Sequence, residues 1–151
     1  MTSVTISGRF SGDSRFFRTC IALMAIMLVC GFSFQLAMGR SSFNAPLIGH
    51  LHAVVFMGWL VIMLAQAWLG TGGNLVMHRR LGRLAVVWAF AIVIFGTLVT
   101  IAAIQTGRVP FFFQPQHFLI ANPLTIVGFI ALLGAAIVLR KQTDWHMRLQ
   151  V

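Results

Sequence analysis

Residues 50–83 read HLHAVVFMGWLVIMLAQAWLGTGGNLVMHRRLGR, and this stretch decides the fold. From His50 to Leu69 no Lys, Arg, Asp or Glu interrupts an apolar run of about 20 residues, the length a helix needs to cross a bilayer. Gly70, Gly72, Gly73 and Asn74 then end it, because glycine is the usual helix stop. The segment His78-Arg79-Arg80-Leu81-Gly82-Arg83 reads as a basic loop before apolar residues resume at Leu84. A span, a glycine stop and a basic connector together describe a polytopic membrane protein.

Composition agrees. Hydrophobic residues make up 59% of the 151-residue chain and charged residues 9%, with mean hydropathy +0.92. A soluble domain carries roughly 25% charged residues, so this chain has too few to cover a water-facing surface. Working outward from the opening stretch, three more apolar runs appear. The expected spans are 19–38, 50–69, 84–104 and 117–139, forming an all-α bundle of about four transmembrane helices. Residues 1–14 are polar and read as a flexible tail ahead of a single transmembrane domain over 15–151. The first run exceeds the 7–15 residues of a signal-peptide core, so it reads as a retained helix.

Two starts compete for the fourth helix. A long helix from His117 would carry Pro123 as a kink. Alternatively, Asn122-Pro123 would form a cap and first turn. The connector before it holds Pro110, Pro115 and the interfacial aromatics Phe111, Phe112 and Phe113. After Arg140 and Lys141 the sequence runs Asp144 to Val151 like the approach to a further helix.

Charge sets orientation. Of 11 Lys and Arg against 2 acids, nine lie in three segments: Arg9, Arg15 and Arg18; Arg79, Arg80 and Arg83; Arg140, Lys141 and Arg148. Only Arg40 and Arg108 fall on the other side of a four-span topology. The positive-inside rule then puts both termini in the cytoplasm, with the chain in a bacterial inner membrane and its bases near anionic lipid headgroups. No basic stripe with interleaved aromatics exists to follow a phosphate backbone, so nucleic acid is excluded as a partner. Cys20 and Cys30 are separated by about 15 Å of helical rise, too far for a disulfide.

The chemical resource is five histidines. His50, His52 and His117 fall at the outer ends of spans, and His78 and His146 at the inner side. Two imidazoles at one depth on facing segments are what b-type haem requires. The pairs would be His52 with His117 and His78 with His146. The plainer reading makes them hydrated interfacial anchors. A copper or zinc site finds weak support, because no acid lies near His50 and His52. His52, Phe56, Trp59, Met63, Gln66 and Gly70 share one face of the second span at helical spacing. They form either a packing seam with Gln66 bonded across it or the wall of a haem or quinone pocket. No acid lies within a span, which removes a carboxylate proton relay and weakens a transporter reading. Walker, Rossmann, Cys-x-x-Cys, His-Glu-x-x-His and serine-elbow motifs are absent.

The residues His50-Leu51-His52-Ala53, Phe56, Trp59, Gln66, Leu69 and His78-Arg79-Arg80-Leu81-Gly82 resemble a family of uncharacterised polytopic bacterial membrane proteins. Its pattern is His-x-His, Trp, Gln, then His-Arg-Arg-Leu-Gly. Trp145-His146-Met147-Arg148-Leu149 resembles a later element that opens a further helix there. The resemblance covers the second to fourth spans and implies no activity. It singles out His52, Trp59, Gln66, His78, Arg79 and His146. Two functions follow as expectations: an accessory or structural subunit packed with other membrane subunits or copies of itself, and a small cytochrome-like or quinone-linked redox protein. Neither names a reaction.

Overall fold

The glycine stop after Leu69 is tighter than its composition suggests. In the computed structural model, which describes residues 7–40 and 43–150 with side chains from Ser14, only Gly72, Gly73 and Asn74 separate two long helices. These are α2, Leu47–Thr71, and α3, Leu75–Gln105. Gly73 turns the chain at φ +83°, a left-handed conformation that costs glycine nothing. Asn74 then caps α3 by accepting the Met77 N–H at 3.2 Å, satisfying one of the donors a helix start leaves open. The basic segment His78–Arg83 is therefore not a loop. It forms the first turns of α3, where long arginine side chains reach outward while the backbone stays helical.

The remaining elements are α1, Ser7–Ala37, α4, Pro115–Val138, and a short α5, Thr143–Arg148. Helix α1 begins well before the apolar run at Thr19, within the stretch expected to be a tail. Among the described residues, four helices are long and apolar enough to cross a membrane, over Ser14–Ala37, Leu47–Thr71, Leu75–Gln105 and Pro115–Val138. The all-α, four-span architecture expected from the run lengths is the one observed, and the chain is a multi-pass membrane protein.

The α4 question resolves to the longer helix. It starts at Pro115, a residue suited to the first turn because its missing N–H would be unbonded there anyway. It passes through Pro123 without ending. Ser41 and Ser42 of the first connector, and anything beyond Gln150, lie outside the described residues.

Packing follows chain order: α1 on α2, α2 on α3, α3 on α4 and α4 on α5. The buried face of α3 is Ala85, Ala89, Ile92, Gly96 and Thr100, one helical stripe of mostly small residues that lets neighbouring backbones approach. Helices α2 and α3 approach closely at Gly58 of α2. A Cβ there would stand 2.4 Å from Cζ2 of Trp88, whose indole N–H donates to the Val55 carbonyl at 2.8 Å. Elsewhere the helices present Leu, Ile, Val, Phe and Met outward, as lipid requires.

Contacts at the ends show that the helices alternate in direction. In the first half of α1, Arg18 donates through Nε to Thr71 Oγ1 at the end of α2. Its guanidinium lies 5.9 Å from the Trp68 ring centre. Beyond the far end of α1, Arg40 sits 4.6 Å over Phe111 of the α3–α4 connector.

Candidate functional site

At the basic end of the bundle, three segments meet. The last turns of α2 contribute Gln66 and Gly70, the first turns of α3 contribute His78 and Gly82, and α5 contributes His146. His78 stands four residues after its cap, so its ring turns back toward α2. There Nδ1 lies 3.2 Å from the Gln66 carbonyl oxygen. Gly70 makes room for it: a Cβ at that position would come within 3.2 Å of the same nitrogen. Gly82 does the same for the Gln66 amide, whose Nε2 lies 3.2 Å from where a Cβ would stand. The glycines of this corner therefore act as space for polar side chains.

His146 arrives from the far end of the sequence. Leu139 to Gln142 turn the chain after α4, and α5 folds back so that His146 Nδ1 lies 2.8 Å from the Ala136 carbonyl. The two imidazole centres are then 6.1 Å apart with ring planes at 88°. A carbonyl oxygen only accepts, so Nδ1 carries the proton on both rings. In the neutral imidazoles the lone pair is then on Nε2. A backbone carbonyl holding one ring N–H while the opposite nitrogen stays free is the usual preparation of a ligating histidine. Beside them the Gln66 Oε1 is buried without a hydrogen-bond partner, although its own backbone carbonyl serves His78.

The outer histidines are arranged differently. His52 stacks on Phe56 of its own helix, ring centres 4.0 Å apart, and its buried Nδ1 has no partner. His117 is exposed in the first turns of α4, and no ring contact joins it to His52 among the described residues. His50 caps its own connector through a 3.1 Å contact with the Phe43 carbonyl. Of the two histidine pairings expected from depth, the structure brings the inner rings together and leaves the outer ones apart.

The α2 seam does face the bundle. Phe56 packs against Gly96 of α3, and Trp59 meets Phe129 of α4 edge-on at 5.2 Å. Gln66 reaches Gly82 as described. Arg79 is exposed beside His78. Cys20 and Cys30 are free thiols, and no cluster of three metal-binding side chains occurs among the described residues. Two polar features escaped the sequence reading. Asn122 of α4 donates to Thr100 Oγ1 at 3.0 Å, and Thr100 donates to the Gly96 carbonyl at 2.7 Å. This chain of bonds ties α4 to α3 one residue before Pro123. Trp88 was read only as part of an apolar run, yet it sets the α2–α3 spacing.

Comparison with family models, curated proteins and solved structures returns no match to this chain.

Proposed function

We propose that this protein is a small membrane cytochrome-like redox protein whose inner histidine pair, His78 and His146, holds one b-type haem at the cytoplasmic end of the bundle. The observation that carries the reading is the preparation of both rings. Each gives its Nδ1–H to a backbone carbonyl, and their centres are 6.1 Å apart. Two imidazoles that each placed a nitrogen about 2 Å from one metal would have ring centres about 6 Å apart, the separation His78 and His146 already have. Haem needs two such ligands where a zinc site needs four.

The surroundings suit the group as well. Arg79 and Arg80 follow His78 directly and are exposed, so they place positive charge beside the inner histidine pair. When bound, the haem would supply one-electron transfer. The chain's own work is to orient the rings: the Gln66 and Ala136 carbonyls fix the tautomer, and Gly70 and Gly82 make room for the His78 ring and the Gln66 amide. With His78 and His146 holding it, the haem would make the protein an electron carrier. The charge asymmetry supports an inner bacterial membrane with both termini cytoplasmic.

The test is an absorption spectrum of protein expressed with ample haem and purified in mild detergent, oxidised and then reduced with dithionite. A Soret band that sharpens on reduction is expected. His78→Ala and His146→Ala should each abolish it, while His52→Ala and His117→Ala keep it. Absence of the band removes the redox reading. It leaves the histidines as packing groups of a structural subunit. A band lost only on changing His52 or His117 would move the haem to the other end.

A further inference from the structure

We propose that the corner formed by α3 and α5 is a binding site for the phosphate of one anionic phospholipid headgroup, bridging Arg79 and Arg80 to Arg148. Three stretches of base far apart in sequence lie at this end of the bundle. Arg79, Arg80 and Arg83 project from the first turns of α3. Arg140 and Lys141 lie on the turn after α4, and Arg148 closes α5. All are exposed. The contact that joins them is the His78–His146 pair, rings 6.1 Å apart. Arg79 is the residue after His78, and Arg148 is two residues after His146. One end of the corner is thus brought against the other by the fold.

Among the described residues no ion pair offsets the positive charge there. Asp144 is the sole acid whose side chain is described, and among the described residues none of these bases forms an ion pair with it. Arg140 spends one N–H on the Ile137 carbonyl at 3.1 Å, which steers it along α4. Among the described residues the others have no hydrogen-bond acceptor. Guanidinium groups match phosphate oxygens in a two-pronged geometry.

Location selects the source of that phosphate. The corner terminates spans α3 and α4, at the depth where headgroups lie. Trp145, 53% exposed on α5, is an aromatic of the kind that rests at that interface. Six residues of α5 are too short to hold helical form unaided. Among the described residues α5 is held by its caps, its packing on α4, the His146 bond to Ala136 and the ring contact with His78, and a lipid phosphate spanning Arg148 and Arg79 would add a further tie. Each base near an anionic surface contributes about a fivefold preference, so three give roughly a hundredfold.

The site is independent of haem and of which end faces the cytoplasm. It is tested on the full chain in detergent micelles offered equal amounts of phosphatidylglycerol and phosphatidylcholine, with bound lipid counted by native mass spectrometry. The wild-type protein should retain phosphatidylglycerol selectively. R79Q/R80Q/R148Q should lose that selectivity by at least about tenfold, while R40Q/R108Q at the other end should keep it. Excess inorganic phosphate should not displace the lipid. Equal retention of the two lipids by the wild type overturns the proposal, as does selectivity surviving in the triple variant. Equal loss in R40Q/R108Q would show only general charge attraction. Displacement by inorganic phosphate would show an anion site indifferent to lipid. Far-ultraviolet circular dichroism of each variant checks that the helices remain.

Discussion

Replacing Gly58 with Ala should destabilise the bundle through a single ring. The new Cβ would stand 2.4 Å from Trp88 Cζ2, 3.1 Å from Cε2 and 3.3 Å from Cη2. Carbon atoms in ordinary contact are about 3.5–4.0 Å apart, so the overlap exceeds about 1 Å and one partner must move. Trp88 cannot move freely, since its indole N–H is committed to the Val55 carbonyl at 2.8 Å. Keeping the ring in place forces α2 and α3 apart, an overpacking cost of about 1–3 kcal/mol. Swinging it out leaves an indole N–H unbonded, at about 1–3 kcal/mol. Alanine's better helix propensity returns at most about 1 kcal/mol. The net loss is about 1 kcal/mol, close to a fivefold shift in the folding equilibrium.

The assay is unfolding in mixed micelles by increasing sodium dodecyl sulfate, followed by far-ultraviolet circular dichroism. It is run on a double-mutant cycle of Gly58→Ala and Trp88→Ala. In the Trp88→Ala background the same glycine change meets no ring, and should be neutral or stabilising by up to about 1 kcal/mol. Equal effects of Gly58→Ala in both backgrounds would refute the reasoning, as would a stabilised single variant. The consequence extends to the histidine corner, because Gly58 lies about 12 Å of helical rise from Gln66 on the same helix. Helix spacing set at Trp88 determines whether the Gln66 carbonyl reaches His78.

Three further outcomes follow from the packing. Asn122→Leu removes the donor to Thr100 while keeping volume, and should cost about 0.6–1.7 kcal/mol in the same unfolding assay; no loss would mean that the Thr100 bond to Gly96 is sufficient alone. Arg18→Lys should weaken the α1–α2 contact by about 1 kcal/mol, since an ammonium does not reproduce a planar group that stacks on Trp68 and bonds Thr71. It is read as faster proteolysis of α1 from the rest of the chain, and rates matching the wild type would remove the contact's importance. In a background with Cys20 and Cys30 changed to Ala, a cysteine replacing Arg108 should react with an impermeant maleimide from outside intact cells. One replacing Lys141 should react only after lysis. The reverse pattern would invert the orientation.

The membrane class was legible at once because it depends on sums. Twenty apolar residues without charge are long enough to span wherever they pack, and charge counts by connector need no coordinates. The α2 seam was legible too, since helical periodicity alone puts His52, Phe56, Trp59, Met63, Gln66 and Gly70 on one face. Helix ends were less so. The arginines of 79–83 resemble a loop by composition, whereas the Asn74 cap and the Gly73 turn place them in α3. A proline inside α4 leaves two starts open in the sequence.

The inner histidines show the same division. Sequence alone determined that His78 and His146 lie at one depth, because both flank the basic ends of spans. It gave no reason to choose that pair over His52 and His117, which share a depth equally well. Tertiary structure decided it, through a turn after Leu139 that returns α5 to the Ala136 carbonyl and glycines at 70 and 82 that admit polar side chains. Depth along a helix is a property of the chain's own repeat. Which ring meets which across two helices depends on their spacing and rotation, and those are set by contacts between residues far apart in sequence, such as Trp88 on Gly58.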